Sequence, residues 1–439
     1  MIEGEGTNGN LGQDMTPEAT SQVFQLFGYR RSIDVNAARV RIEQTRTPNF
    51  VYFQGQQAQH QAFGVDGEIG YTIGADGAAS RVADSVAKDR LREFYQHPVV
   101  AVRAAMVPGA SLVNPRAAVG QRIVDVVSDR QIIYTLAIDA RTNLPTRVVS
   151  MSDNPNLGDV AVETTFADYR DVNGIKLPFR LTTKIDRVVT TDIQVKKQFT
   201  NEILASDLAA PANVRTAAAI LGPPPPVVTA DEVAKGVWFL AGQSHHSVLV
   251  EFGDHLTLIE APQNDARTLA VIAKARELRP DKPLTEVINT HHHFDHSGGL
   301  RAAVSEGLTV FTARANVAFY QTALTRPHGL APDRLTRNRK PLKIEAMEEE
   351  RTLQDDTRTM TLYHIAGSPH ADTLLMAYLP KEKILVEADV FSPQAAVHPY
   401  AANLIENIKG HGLVVDKILP IHGTITSYAD LLKTQTSQK

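Results

Sequence analysis

Thr290-His-His-His-Phe-Asp-His-Ser-Gly-Gly299 follows directly on a short strand-like run, Glu286-Val-Ile-Asn289. A histidine-rich stretch could be a surface tract or an expression tag. Tags sit at termini, however, whereas this run is internal and is flanked by a strand-like segment and by Gly298-Gly299, which lets the backbone turn into a following helix. His291, His293, Asp295 and His296 form the pattern H-x-H-x-D-H. Alternate residues of an extended segment point the same way, so His291 and His293 can converge on one ion while Asp295 and His296, past the turn, address a second. Neutral imidazoles with a carboxylate suit zinc, and also iron or manganese.

Composition narrows what surrounds this motif. The 439 residues contain no cysteine, so disulfides, thiolate nucleophiles, iron–sulfur clusters and cysteine-bound zinc are excluded, and any metal is held by His, Asp or Glu. With 45 Lys+Arg against 49 Asp+Glu the net charge is -4, which provides no basic field for nucleic acid. A small-molecule substrate fits better. No apolar run approaches the ~18 residues of a membrane span, and 43% hydrophobic with 21% charged residues is ordinary globular composition.

Working outward, Gly222-Pro-Pro-Pro-Pro226 divides the chain, because consecutive prolines join neither helix nor central strand. Downstream, strand-like and helical patterns alternate, with helices expected at 265–278, 299–306, 314–324 and 403–410, and 325–350 stands out as an insertion or lid. Upstream, short alternating runs at 40–44, 49–54, 122–127, 131–139, 160–169, 175–183 and 188–199 read as antiparallel strands. A helix over 83–106 should break at His97-Pro98. The expected organisation is a disordered tail at 1–15, a β-rich accessory domain at 16–221, a proline linker at 222–226, a mixed α/β layered domain at 227–433 and a polar tail at 434–439.

The metal motif in this setting resembles the metallo-β-lactamase superfamily over 227–433, and the resemblance implies an αββα sandwich preceded by the antiparallel β domain, an α+β chain overall. Matched residue by residue, it implies that His370 in Gly367-Ser-Pro-His-Ala-Asp372 completes a first site with His291 and His293. His422 in Leu419-Pro-Ile-His-Gly423 completes a second with Asp295 and His296, and Asp389 in Leu385-Val-Glu-Ala-Asp-Val-Phe391 bridges the two. The family's early Asp-Thr-Gly turn is replaced by Leu258-Ile-Glu-Ala-Pro262, where Glu260 takes the role of orienting a ligand histidine. An Asp at 389 is the pattern of dinuclear esterases, lactonases, thioesterases and phosphodiesterases, whereas antibiotic-degrading members carry Cys or Ser there.

The resemblance therefore implies a hydrolase with two divalent transition-metal ions, zinc first and iron or manganese as alternatives, that attacks a carboxylic ester or lactone with a metal-bridging hydroxide. Asp295, a ligand with a free oxygen, would orient the nucleophile or shuttle a proton. The alternatives are a mononuclear iron persulfide dioxygenase, a β-lactamase-like amide hydrolase, and a non-enzymatic ligand carrier. His245-His246 borders the expected cleft, but an exposed strand end is the plainer reading. His328, Tyr363, His398 and Tyr400 could line a pocket, and Trp238 reads as core. The runs 138–145 and 166–178 resemble curved-sheet domains of bacterial lipoprotein carriers. This implies a structural module, a homo-oligomer contact or a cradle for an apolar ligand, and points to the periplasm or secretion, with the cytoplasm as the alternative.

Overall fold

The computed structural model describes residues 1–202 and 205–435. Among these, thirteen strands form one antiparallel sheet in the N-terminal half. Two meanders run outward from its middle, one from Ile2–Gly9 to Ala79–Arg81 and the other back from Val188–Gln198 to Ser111–Ala118, and the first and last strands pair with each other. Period-two burial is clear in Arg39–Pro48, where Val40, Ile42 and Gln44 turn inward. The helices Asp84–Tyr95 and Pro98–Met106 meet at His97-Pro98, with Pro98 in the first turn of the second. Their Leu91, Phe94, Tyr95, Val100 and Ala101 pack with Leu26, Val40 and Val65 from one meander and Tyr134, Val148 and Phe166 from the other. Contact with such separated strands requires the sheet to curve around the helical pair.

Two expectations for this half are corrected. Residues 1–15 are not a disordered tail: Ile2–Gly9 lies in the centre of the sheet, paired on both sides. Its glycines are there for close approach, since a Cβ on Gly6 would fall 1.9 Å from the carbonyl of Asp192. Residues 49–54 are an irregular loop rather than a strand, because Pro48 ends the preceding strand. The aromatics in that loop pack instead edge-to-face on Phe24, with Phe50 at 5.1 Å and Tyr52 at 5.4 Å.

Residues 223–226 carry no regular structure. Beyond them a seven-stranded and a six-stranded sheet face each other. Val237, Val248 and Ile288 of one and Met360, Leu375, Val386 and Leu419 of the other form the apolar layer between them. Helices Asp265–Leu278 and Leu300–Ser305 cover the first sheet, and Ala401–Gly410 and Tyr428–Lys433 cover the second, giving four αββα layers. Asn264 caps the longest of these helices by accepting from Arg267 N.

The segment 325–350 is not a lid. It contains the helix Arg334–Arg337 and the edge strand Ile344–Met347, and it braces the two halves. Pro327 O accepts from Asp159 N at 2.9 Å, the Asp159 carboxylate accepts from Gly329 N and Leu330 N at 2.8 and 3.1 Å, and Arg326 pairs with Asp186 at 2.5 Å. Of the expected tail 434–439, residues 436–439 lie outside the described residues.

Candidate metal centre

Parallel strands in both sheets end at one rim, and their C-terminal loops supply the polar side chains. Glu260 follows Leu256–Ile259, the H-x-H-x-D-H loop follows Leu284–Ile288, Asp389 follows Ile384–Glu387, and His422 follows Lys417–Pro420. Glu260 and Asp389 both adopt left-handed backbone conformations, with φ of 74° and 65°. Such a conformation costs a residue with a Cβ about 1–2 kcal/mol and persists where the surroundings over-determine it.

The side chains form two groups: His291, His293, His370 and Asp389, and His245, Asp295, His296 and His422, each with donor atoms within 4.8 Å of one another. Asp389 lies between them. Its Oδ2 is 2.9 Å from His370 Nε2 and 3.0 Å from His296 Nε2, and its Oδ1 is 2.7 Å from His422 Nε2.

Outer partners decide which ring atoms are left to bind. His296 Nδ1 donates to Glu260 Oε2 at 2.7 Å, and Glu260 Oε1 accepts from Thr290 N at 2.7 Å. His422 Nδ1 faces the carbonyl of Ser244 at 3.1 Å, an acceptor only, so its proton belongs on Nδ1. The Nε2 lone pairs of neutral His296 and His422 then point at each other across 3.1 Å, beside a carboxylate. That arrangement suits a shared cation beside them. His293 makes the same point, because its buried Nδ1 has no hydrogen-bond partner. The donor set fits a divalent transition metal.

Electrostatics agree. Burial holds His291 and His293 neutral by lowering their pKa well below the ordinary value. Burial opposes charge on His296 too, but the Asp389, Asp295 and Glu260 carboxylates raise its pKa well above the usual range, so positive charge is favoured at this place. Burial also opposes ionisation of Asp295 and Asp389. Neighbouring histidines outweigh it and keep both carboxylates ionised.

Residues 240–394 match the family model of the metallo-beta-lactamase superfamily. The C-terminal half is a metallo-β-lactamase superfamily domain. Solved structures similar to it include a metallo-beta-lactamase from Pontibacter korlensis, 16% identical, covering 48% of this chain and 100% of its own, with a TM-score of 0.38. FIM-1 from Pseudomonas aeruginosa in a mono-zinc form is 17% identical over 49% of this chain and 97% of its own, at a TM-score of 0.39. The Hirschia baltica metallo-beta-lactamase is 18% identical over 48% and 96%, at 0.37. No curated protein matches the chain.

Within the metallo-β-lactamase domain, the structure brings His291, His293, Asp295, His296, His370, Asp389 and His422 together, with Glu260 behind His296. Of the other residues singled out, Tyr400 and His398 line a cavity of about 370 Å³ beside the centre. Tyr363 packs against His411 with the rings tilted, His328 lies 3.6 Å from Asp153, and Trp238 is core, so these three stand elsewhere. Of two further contributors, the sequence reading sets His245 aside and does not single out Gln13. His245 is buried, not an exposed strand end, and its Nε2 lies 3.2 Å from Asp295 Oδ2. Gln13 Nε2 donates to Asp295 Oδ1 at 2.7 Å from the far end of the chain. The paired histidines at 245–246 were a visible signal for the first; nothing local marks the second.

Proposed function

We propose that the protein is a dinuclear metal-dependent hydrolase of uncharged carboxylic esters or lactones. The observation that carries this reading is Asp389, whose carboxylate oxygens reach ring nitrogens of both histidine groups. One shared anion between two donor groups is what two neighbouring cations require to offset their repulsion. When bound, two such ions, zinc first and iron or manganese as alternatives, would supply an acidified water and a Lewis acid for the carbonyl oxygen. The chain's residues do the rest. Asp295, kept ionised by the neighbouring histidines and held from either side by Gln13 and His245, would orient the attacking water as a fixed carboxylate. Glu260 and the Ser244 carbonyl hold His296 and His422 in one tautomer each.

The cavity lining favours the substrate class. Phe53, Val390, Val397, Pro399 and Tyr400 form apolar walls above Asp295, His370, Asp389 and His422, and among the described residues lining it there is no Lys or Arg. A phosphodiester or a carboxylate-bearing β-lactam calls for a cationic clamp, whereas a neutral acyl or lactone ring needs apolar surface and an electrophile. A screen of metal-loaded protein against esters, lactones, thioesters, β-lactams and phosphodiesters tests the reading. Turnover is expected on an ester or lactone with little on phosphodiesters. A single iron per chain with oxygen uptake on a persulfide, and no hydrolysis, would replace it with the dioxygenase.

A further inference from the structure

The loop between the first two strands of the N-terminal sheet crosses the metal-motif loop. Gly12 O accepts from Phe294 N at 3.1 Å, Asp14 O accepts from His293 Nε2 at 3.0 Å, and Met15 O accepts from Asp372 N at 2.8 Å. The side chain of Gln13 reaches Asp295 Oδ1 at 2.7 Å. The crossing is built. Gly12 has φ of 79°, and a Cβ there would fall 2.3 Å from the Phe294 ring, so the close approach depends on glycine. Asp14 is buried and ties the loop to its own sheet, with Oδ1 accepting from Gln22 N at 3.1 Å and Oδ2 from Ser21 Oγ at 3.3 Å.

The chemistry of these contacts is specific. A backbone carbonyl only accepts, so Asp14 fixes the His293 proton on Nε2 and leaves Nδ1 as that ring's one lone pair. Nδ1 is the buried atom without a partner. Gln13 takes one oxygen of Asp295 while His245 Nε2 faces the other at 3.2 Å, so the carboxylate is pinned in one rotation.

We propose that residues 12–15 of the N-terminal half are a working part of the metal centre, Asp14 O setting the donor atom of His293 and Gln13 acting as a positioning residue through Asp295. This rests on reading the two histidine groups as metal ligands, and it makes the N-terminal half a determinant of metal occupancy rather than an attached module. Outer partners of metal ligands change affinity by about 10–100-fold when removed.

The test uses the full chain loaded with Co(II), read by visible absorption and by competition with a chelator. Wild type should take up two ions. Gln13→Met, which keeps side-chain length and loses the donor, should weaken one ion about 10-fold and alter the spectrum. Gly12→Ala should displace the Asp14 carbonyl and weaken the other, and should it fail to fold, Gln13→Met carries the test by itself. Folded variants with wild-type affinities and spectra would overturn this proposal and leave the metal reading standing. A wild type that binds no Co(II) would overturn the metal reading itself.

Discussion

Asp389 carries opposing demands at one position: it holds a strained left-handed backbone and offers its carboxylate to both histidine groups. On the proposed dinuclear reading, removing that anion would leave two cations repelling each other without a shared partner. Asp389→Ala is therefore expected to lose one of two ions by elemental analysis and more than about 100-fold in turnover on the best substrate of the screen. Retention of both ions with near wild-type turnover would refute the dinuclear mechanism. Glu260 acts at one remove, so Glu260→Gln should keep the fold while lowering affinity for one ion about 10–100-fold, read by chelator competition. Legibility at this scale follows chain distance. His291, His293, Asp295 and His296 are contiguous, so spacing alone suggests their convergence. His370, Asp389 and His422 lie in loops far apart in the chain, and only a family pattern could join them to the motif. Gln13 is an ordinary glutamine in a polar stretch, and its role comes wholly from where the sheet delivers it.

Among the elements, the brace at 325–350 rests on a buried ion pair. The Arg301 guanidinium, in helix Leu300–Ser305, pairs with Asp333 and donates to the carbonyl of Leu324 at 2.8 Å. Burial opposes ionisation of Asp333, but its hydrogen bonds from Arg301 and Thr336 hold its carboxyl well below the ordinary range. A depressed carboxyl contributes stability above its unfolded pKa of about 3.9, and the contribution is lost as pH falls through the folded value. Asp333→Asn, which strands Arg301, is expected to cost about 3 kcal/mol in urea unfolding at pH 7, with the gap to wild type narrowing below pH ~4. Elements with strong local signals were the legible ones: the helix Asp265–Leu278 has a cap at Asn264 and buries Val271, Ile272 and Ala275 on one face, and His97-Pro98 does split the preceding helical pattern. The first strand was hidden because its glycines serve close backbone approach, and alternating aromatics at 50–53 imitated a strand where they make a ring cluster.

For the whole molecule, the two halves have separate apolar cores yet share polar contacts at the metal loop and at the brace. Expressed by itself, 227–439 should be soluble and give the circular dichroism of an αββα domain, because its three core clusters draw on its own residues. Its metal affinity should fall by about 10-fold or more relative to the full chain. An insoluble fragment would mean that the halves stabilise each other beyond these polar contacts. The pairing of Ile2–Gly9 with Val188–Gln198 has a further consequence, in the time order of synthesis. On a ribosome adding about 5–20 residues per second, the first strand waits on the order of 10–40 s for its second neighbour, with one hydrogen-bonding edge open. The loop at 12–15 that meets the metal motif is made well before His422. On the proposed reading, the full set of metal-holding residues thus comes together only once His422 has been made and has folded beside the loop at 12–15.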